Sequence, residues 1–184
     1  MLASEVFQQY VPRLERLVEQ VARDYNKQAE LIVEGAYDKI DQQMFNKLLI
    51  PLEHLLRNAV SHGLEEDRTG KPEIGKVTIQ LRNEGTEMVV DVTDDGAGLD
   101  LEAIRQKAQE KNIPIPDNDD EIKQLILERG LTTVKKVTTT SGRGNGMDII
   151  DKGIKQLNGT LEFSSVTGQG TNFTIRIPLV ARNG

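Results

Sequence analysis

The sequence has no cysteine, no tryptophan and only two histidines in 184 residues. Without cysteine the chain cannot carry a disulfide framework, a thiolate nucleophile or a Cys-based zinc site, and two histidines leave little for a His-rich metal centre. Basic residues number 23 against 29 acidic ones, for a formal charge of −6. With no clustered Lys and Arg to meet phosphates, a dedicated nucleic-acid binder is excluded. No apolar run approaches the roughly 18 to 20 residues that span a bilayer, so no membrane insertion is expected. The first residues also lack the basic-then-apolar layout of an export signal, and a cytoplasmic location is the expectation. The length predicts a single domain over residues 1–184, with no internal linker or repeat. Aromatic residues are scarce at 4%, whereas glycines number 16 and are unevenly placed, and their placement carries the reading that follows.

Phe7, Tyr10, Leu14, Leu17, Val18 and Val21 recur at three- and four-residue steps and predict an amphipathic helix over residues 5–24, stopped at Asn26. Residues 29–33 are short, apolar and partly β-branched, a strand before Gly35. Helical spacing returns from Asp41 through Met44, Phe45, Leu48 and Leu49. Pro51 then reads as the first-turn residue of a new helix that ends at Gly63 as its C-cap. Residues 76–82 and 87–93 alternate as a hairpin, and the second strand runs straight into Asp94-Asp95-Gly96-Ala97-Gly98. Helices are predicted at 101–111, 122–129 and 147–157, and a closing hairpin at 160–164 and 172–178. The Thr- and Gly-rich stretch 130–145 between them reads as a mobile segment. Helices and antiparallel hairpins in mixed order predict an α+β fold with helices on one face of the sheet.

Three features carry candidate chemistry. His54, Asn58 and His62 are spaced by four and share one helix face, opposite the apolar Leu55, Leu56, Ala59 and Val60. This suits a positioned site, although ordinary surface or capping residues would show the same spacing. A structural zinc is a poor reading, because two histidines eight apart without cysteine make a weak tetrahedral set. The Asp94-x-Gly96-x-Gly98 loop offers a strand-end carboxylate able to accept from an exocyclic amine, beside glycines that admit a ligand to the backbone. A plain glycine turn is the alternative. Finally, Gly142, Gly144 and Gly146 alternate immediately before a helix, where free N–H groups and the helix dipole make a phosphate cradle. The run is neither a Walker A loop nor a Rossmann fingerprint. The stretch before it could close over a nucleotide. Gly168 and Gly170 in the last hairpin read first as turn glycines.

In this order, the motifs resemble the ATP-binding catalytic domain of chemotaxis-type histidine kinases, the CheA family, within the group shared by gyrase, Hsp90, histidine kinases and MutL. PLEHLLRNAVSHGLE resembles the family's N box, DDGAGLD its first glycine box, RGLTT the place of its lid box, SGRGNGMDII its second glycine box and GQGTNFTIRIPL its closing motif. The similarity covers roughly residues 5–180. YVPRLERLVEQVARD looks closest to the kinases of systems that control type IV pili. The resemblance implies a Bergerat-type (GHKL) two-layer α/β sandwich with a mixed sheet, a flexible ATP lid, and ATP and Mg²⁺ as cofactors.

By the same resemblance, Asn58 binds Mg²⁺ with His62 in or near the same shell, and Asp94 reads the adenine amine. Gly96, Gly98, Gly142, Gly144 and Gly146 give backbone access, Thr171 supports the adenine pocket, and Lys71 and Met147 fall within the matching nucleotide-binding segments. His54 takes the place of the base or orienting group for the incoming nucleophile. Related ATPases place a Glu there, and here Glu53 is one residue off that face. The two histidines being in the pocket, the phosphoryl acceptor is a histidine phosphotransfer domain elsewhere, with response regulators downstream. The chain then reads as a fragment of a larger kinase, without its dimerisation and adaptor-binding domains. Ser61, Leu131 and Asn145 depart from the family pattern and keep two alternatives open, a non-catalytic nucleotide-sensing module and a water-using ATPase.

Overall fold

The first helix, α1 (Ala3–Asp24), forms where the apolar spacing requires it, burying Phe7, Leu14, Val18 and Val21. It stops at Asn26, whose φ of 53° turns the chain so that Lys27 N–H donates back to the Ala22 carbonyl at 2.8 Å. The computed structural model describes residues 3–35, 42–110, 112–129 and 147–179. Strand β1 (Ala29–Gly35) follows directly, and then α2 (Gln42–Asn58). Pro51 does not open a new helix as its position suggested; α2 runs through it. The reason is tertiary: Leu48, Leu49, Leu52, Leu55 and Leu56 on both sides of Pro51 face one core. The proline ring itself packs near the backbone of Gly153, where a Cβ would lie 3.3 Å from Pro51 Cγ. Burial on both sides offsets the missing hydrogen bond.

A second correction concerns the end of this helix. Gly63 is not a left-handed cap: Ala59–Gly63 widen into a π turn, with Leu64 N–H donating to the Ala59 carbonyl at 2.8 Å, and Leu64 is extended.

Among the described residues the sheet has five strands in the order β1-β2-β3-β5-β4. Strands β2 (Gly75–Asn83) and β3 (Glu87–Asp94) form one antiparallel hairpin, and β4 (Thr160–Val166) and β5 (Gly170–Pro178) the other. The hairpins meet where β3 runs antiparallel to β5, and β1 adds to the edge of β2 in parallel, so the sheet is mixed. Val77, Ile79, Leu81, Val90, Val92, Ile175 and Ile177 bury one face under the helices. The opposite face is mostly polar, with Val89 buried on it. There Asp91 accepts from Thr174 Oγ1 at 2.6 Å and from Arg82 Nη2 at 2.7 Å. Helices α3 (Leu101–Glu110), α4 (Asp119–Arg129) and α5 (Met147–Gln156) are the remaining elements among the described residues, with Ile104, Ile122, Ile126, Ile150 and Ile154 in the same core. The expected α+β architecture with helices on one sheet face is therefore observed. Among the described residues no helix is long and apolar enough to cross a membrane.

Candidate nucleotide site

Asp94 is the last residue of β3 and only 4% exposed. It pairs across the sheet with Thr171 of β5, so the seam between the two hairpins ends at this carboxylate. The Gly96 N–H donates to Asp94 Oδ1 at 2.9 Å. Burial pushes the carboxyl up to about 6; the N–H groups of Gly96 and Thr171 oppose the rise, while the negative charges of Asp95 and Glu65 add to it.

The loop after Asp94 is fixed from three sides. Ala97 N–H donates to the Gly63 carbonyl at 2.9 Å, and the Ala97 carbonyl accepts from Gly168 N–H at 2.6 Å. Leu99 N–H donates to Ser165 Oγ at 2.7 Å, and that hydroxyl lies 2.9 Å from Thr171 Oγ1. The glycines make these approaches possible. A Cβ on Gly96 would sit 1.9 Å from the Gly63 carbonyl oxygen, and one on Gly98 2.3 Å from the Val166 carbonyl oxygen. Their bare backbones thus fit against the π turn and the β4–β5 turn, a packing need that stands beside the ligand access expected from the sequence.

Behind the loop lies a group of charges. Lys71 Nζ donates to the carbonyls of Asp95 at 2.9 Å and Gly96 at 2.8 Å and pairs with Glu65. Arg68 pairs with Glu65 at 2.8 Å and donates to the Pro72 carbonyl at 2.8 Å. Its Nη2 lies 3.0 Å from Asp95 Oδ1, a charge contact without hydrogen-bond direction. Glu65 is partly desolvated, yet the Lys71 and Arg68 cations hold its carboxyl below the usual value.

An open cleft is lined by Asn58, Ala59, His62, Gly63, Asp94, Gly98, Leu99, Met147, Thr171 and Phe173. Six residues that the motifs singled out therefore share one cavity: Asn58, His62, Asp94, Gly98, Met147 and Thr171. Asn58 Nδ2 donates to Met147 Sδ at 3.5 Å, which joins the end of α2 to the start of α5 across the cleft. His62 is exposed, its ring edge-on to Tyr25 with centroids 6.3 Å apart. Gly96 and Lys71 are not in the walls but hold the Asp94 loop. His54 lies half-buried one turn before Asn58 and is not in the cleft wall. Glu53 is paired with Arg13 of α1 at 2.8 Å. Ser61 Oγ donates back to the Arg57 carbonyl at 2.6 Å. Gly142, Gly144 and Gly146, with Leu131, Asn145 and the expected mobile segment, lie outside the described residues.

The sequence reading missed Ser165, Leu99, Ala59 and Phe173. Phe173 was within reach, since it stands two residues after Thr171 on the same side of β5. Ser165 had no such signal, because its role depends on where the β4–β5 hairpin meets the Asp94 loop.

The chemistry of the cleft suits a flat, amine-bearing base: apolar walls from Ala59, Leu99, Met147 and Phe173 around one buried acceptor. Among the described residues no group of three His, Asp or Glu side chains could hold a metal alone. The amide oxygen of Asn58 is a hard donor, of the kind that completes a Mg²⁺ shell supplied mainly by phosphates and water.

Such a site, at the end of a mixed sheet covered by helices on one face, suits a nucleotide-binding domain. Residues 48–181 match the family described as histidine kinase-, DNA gyrase B-, and HSP90-like ATPase. The chain belongs to this family, and ATP use follows from that membership. It is 37% identical over 173 residues to the chemotaxis protein CheA of Klebsiella aerogenes, covering 91% of this chain and 26% of that protein. It is 39% identical over 173 residues to the sensor histidine kinase CheAY of Helicobacter pylori, covering 89% and 22%. The chain thus spans about a quarter of the length of these relatives. In fold it is similar to a mycobacterial sensor histidine kinase, MprB, with TM-score 0.57, 20% identity and coverage of 97% and 96%.

Proposed function

We propose that the chain is the catalytic ATP-binding domain of a chemotaxis-type histidine kinase. In this reading it binds Mg·ATP in the cleft and delivers the γ-phosphoryl group to a histidine on a separate phosphotransfer domain. The observation that carries this reading is the buried Asp94 carboxylate set among apolar walls, with Asn58 and His62 beside it. Asp94 accepts from the adenine amine; a guanine, with a carbonyl in that place, offers no donor. Asn58 supplies an oxygen to the metal. His62, whose imidazole is a poorer partner for a hard cation, stands next to that shell. His54 follows from the family resemblance as the base or orienting group for the attacking histidine, and it stands one turn before Asn58, outside the cleft wall. Bound Mg·ATP supplies a polarised phosphoryl group, so what the chain contributes is alignment and charge neutralisation.

The water-using alternative has less support, because Glu53, its expected base, is occupied by Arg13. Partners in this reading are the phosphotransfer domain, the response regulators it supplies, and dimerisation and adaptor-binding domains of the longer kinase, all in the cytoplasm. The pilus assignment rests on residues 10–24 alone. Calorimetric titration with ATP, with and without Mg²⁺ and with GTP as control, tests the site; adding a phosphotransfer domain tests transfer. Adenine-selective, Mg²⁺-enhanced binding followed by acceptor labelling is expected. Binding without labelling would select the nucleotide sensor, and no binding would reduce the reading to shared fold.

A further inference from the structure

The last carbonyls of an α-helix have no partner within the helix and carry the negative end of its dipole. Helices commonly meet this need with a left-handed glycine, but Gly63 does not adopt that conformation. The need is met from elsewhere in the chain. Lys27 Nζ donates to the carbonyls of Val60 at 3.0 Å, Ser61 at 2.7 Å and Leu64 at 2.7 Å, which uses all three of its protons on the π turn.

The arrangement reaches both walls of the cleft. With the turn held by Lys27, the Gly63 carbonyl is left to accept from Ala97 N–H, which fixes the Asp94 loop. On the other side Tyr25 meets the Lys27 ammonium 5.7 Å from its ring centre and the His62 ring at 6.3 Å. Tyr25 and Lys27 flank Asn26, so the left-handed stop of α1 is what aims both side chains at the turn. All three precede residue 48, where the match to the ATPase family begins.

We propose that Lys27 is a positioning residue of the nucleotide site: it holds the π turn in the geometry that presents His62 and seats the Asp94 loop. This rests on the nucleotide reading above. It follows that the end of α1, outside the family match, sets affinity at a cleft to which it contributes no wall.

The test compares Lys27→Met, which keeps the stem and removes the donors, with Lys27→Arg and with Val6→Ala. The last truncates a buried side chain at the far end of α1 and reports plain destabilisation. Amide exchange is measured first on the nucleotide-free chain. In Lys27→Met the amides of Leu64 and Ala97 are expected to exchange about tenfold faster, beyond any change shared by Val90 in the sheet. Calorimetry with ATP and Mg²⁺ is then expected to show about a tenfold loss of affinity, with Lys27→Arg retaining most of it and Val6→Ala all of it. The proposal is overturned by parental exchange at both amides, by a uniform rise like that of Val6→Ala, or by local loss of protection with parental affinity. Failure of the parent chain to bind ATP overturns the nucleotide reading instead, and is told apart because the exchange pattern is read without nucleotide.

Discussion

A Cβ placed on Gly63 would lie 2.9 Å from Asp94 Oδ2, so the end of the π turn and the buried carboxylate touch with no room for a methyl group. Gly63→Ala is therefore expected to displace Asp94. Overpacking of this kind costs about 1–3 kcal/mol. Urea unfolding should show that loss, and ATP titration a larger fractional loss of affinity than the stability change alone would bring.

Asp94→Asn should separate stability from binding. The folded carboxyl holds its proton up to about 6 against an ordinary 3.8, so folding takes up a proton between those values. The contribution of this group is full below its unfolded value and is lost as pH rises through about 6. At pH 7 the buried anion therefore costs on the order of 3 kcal/mol. An amide still accepts from Gly96 N–H and carries no charge, so the variant is expected to be more stable than the parent at pH 7.5 by about 1–3 kcal/mol. The gain should shrink toward zero near pH 4. Adenine-selective binding should be abolished. Unfolding curves of both proteins at several pH values report Asp94 together with its coupling to Glu65, while Asp67, whose carboxyl is lowered by Thr69, titrates alike in each.

Asn58→Ala removes an oxygen from the cleft but only a weak amide-to-thioether contact from the fold. Stability should stay within about 1 kcal/mol of the parent. The enhancement of ATP binding by Mg²⁺ should disappear while Mg²⁺-free binding persists. Titrations with and without the metal decide this.

Lys71→Met leaves Glu65 with one cation fewer and frees the carbonyls of Asp95 and Gly96. Nucleotide affinity should fall by a similar factor with and without Mg²⁺, in contrast to Asn58→Ala. The lowered Glu65 carboxyl contributes stability above its unfolded value that is lost as pH falls through the folded one. The variant should thus lose less stability than the parent on acidification, measured by urea unfolding between pH 7 and pH 3.

Much of this was legible from period and punctuation. Both hairpins and the stop at Asn26 follow from residue types and spacing, and the pooling of Asn58, Asp94, Met147 and Thr171 is what the family resemblance implies. Other features depend on contacts distant in sequence. Pro51 reads as a helix start until the leucines on both sides are seen to share one core and Gly153 to make room for its ring. Gly63 reads as a cap because nothing local shows that Lys27, 36 positions earlier, satisfies the same carbonyls. Lys71 falls in a matching nucleotide-binding segment, but nothing local shows that its ammonium meets Glu65 and the carbonyls of Asp95 and Gly96.

The seam where β3 meets β5 joins residues about 80 to 90 positions apart in the chain, and Asp94 and Thr171 stand at its end. Each hairpin can form early from local contacts, but the cleft exists only after the two have docked. Loop closure over such a separation opposes that docking until late in folding. A ligand of the cleft is then expected to leave the refolding rate nearly unchanged and to slow unfolding in proportion to its occupancy. Saturation with nucleotide would act as a kinetic lock on a sheet built from two halves.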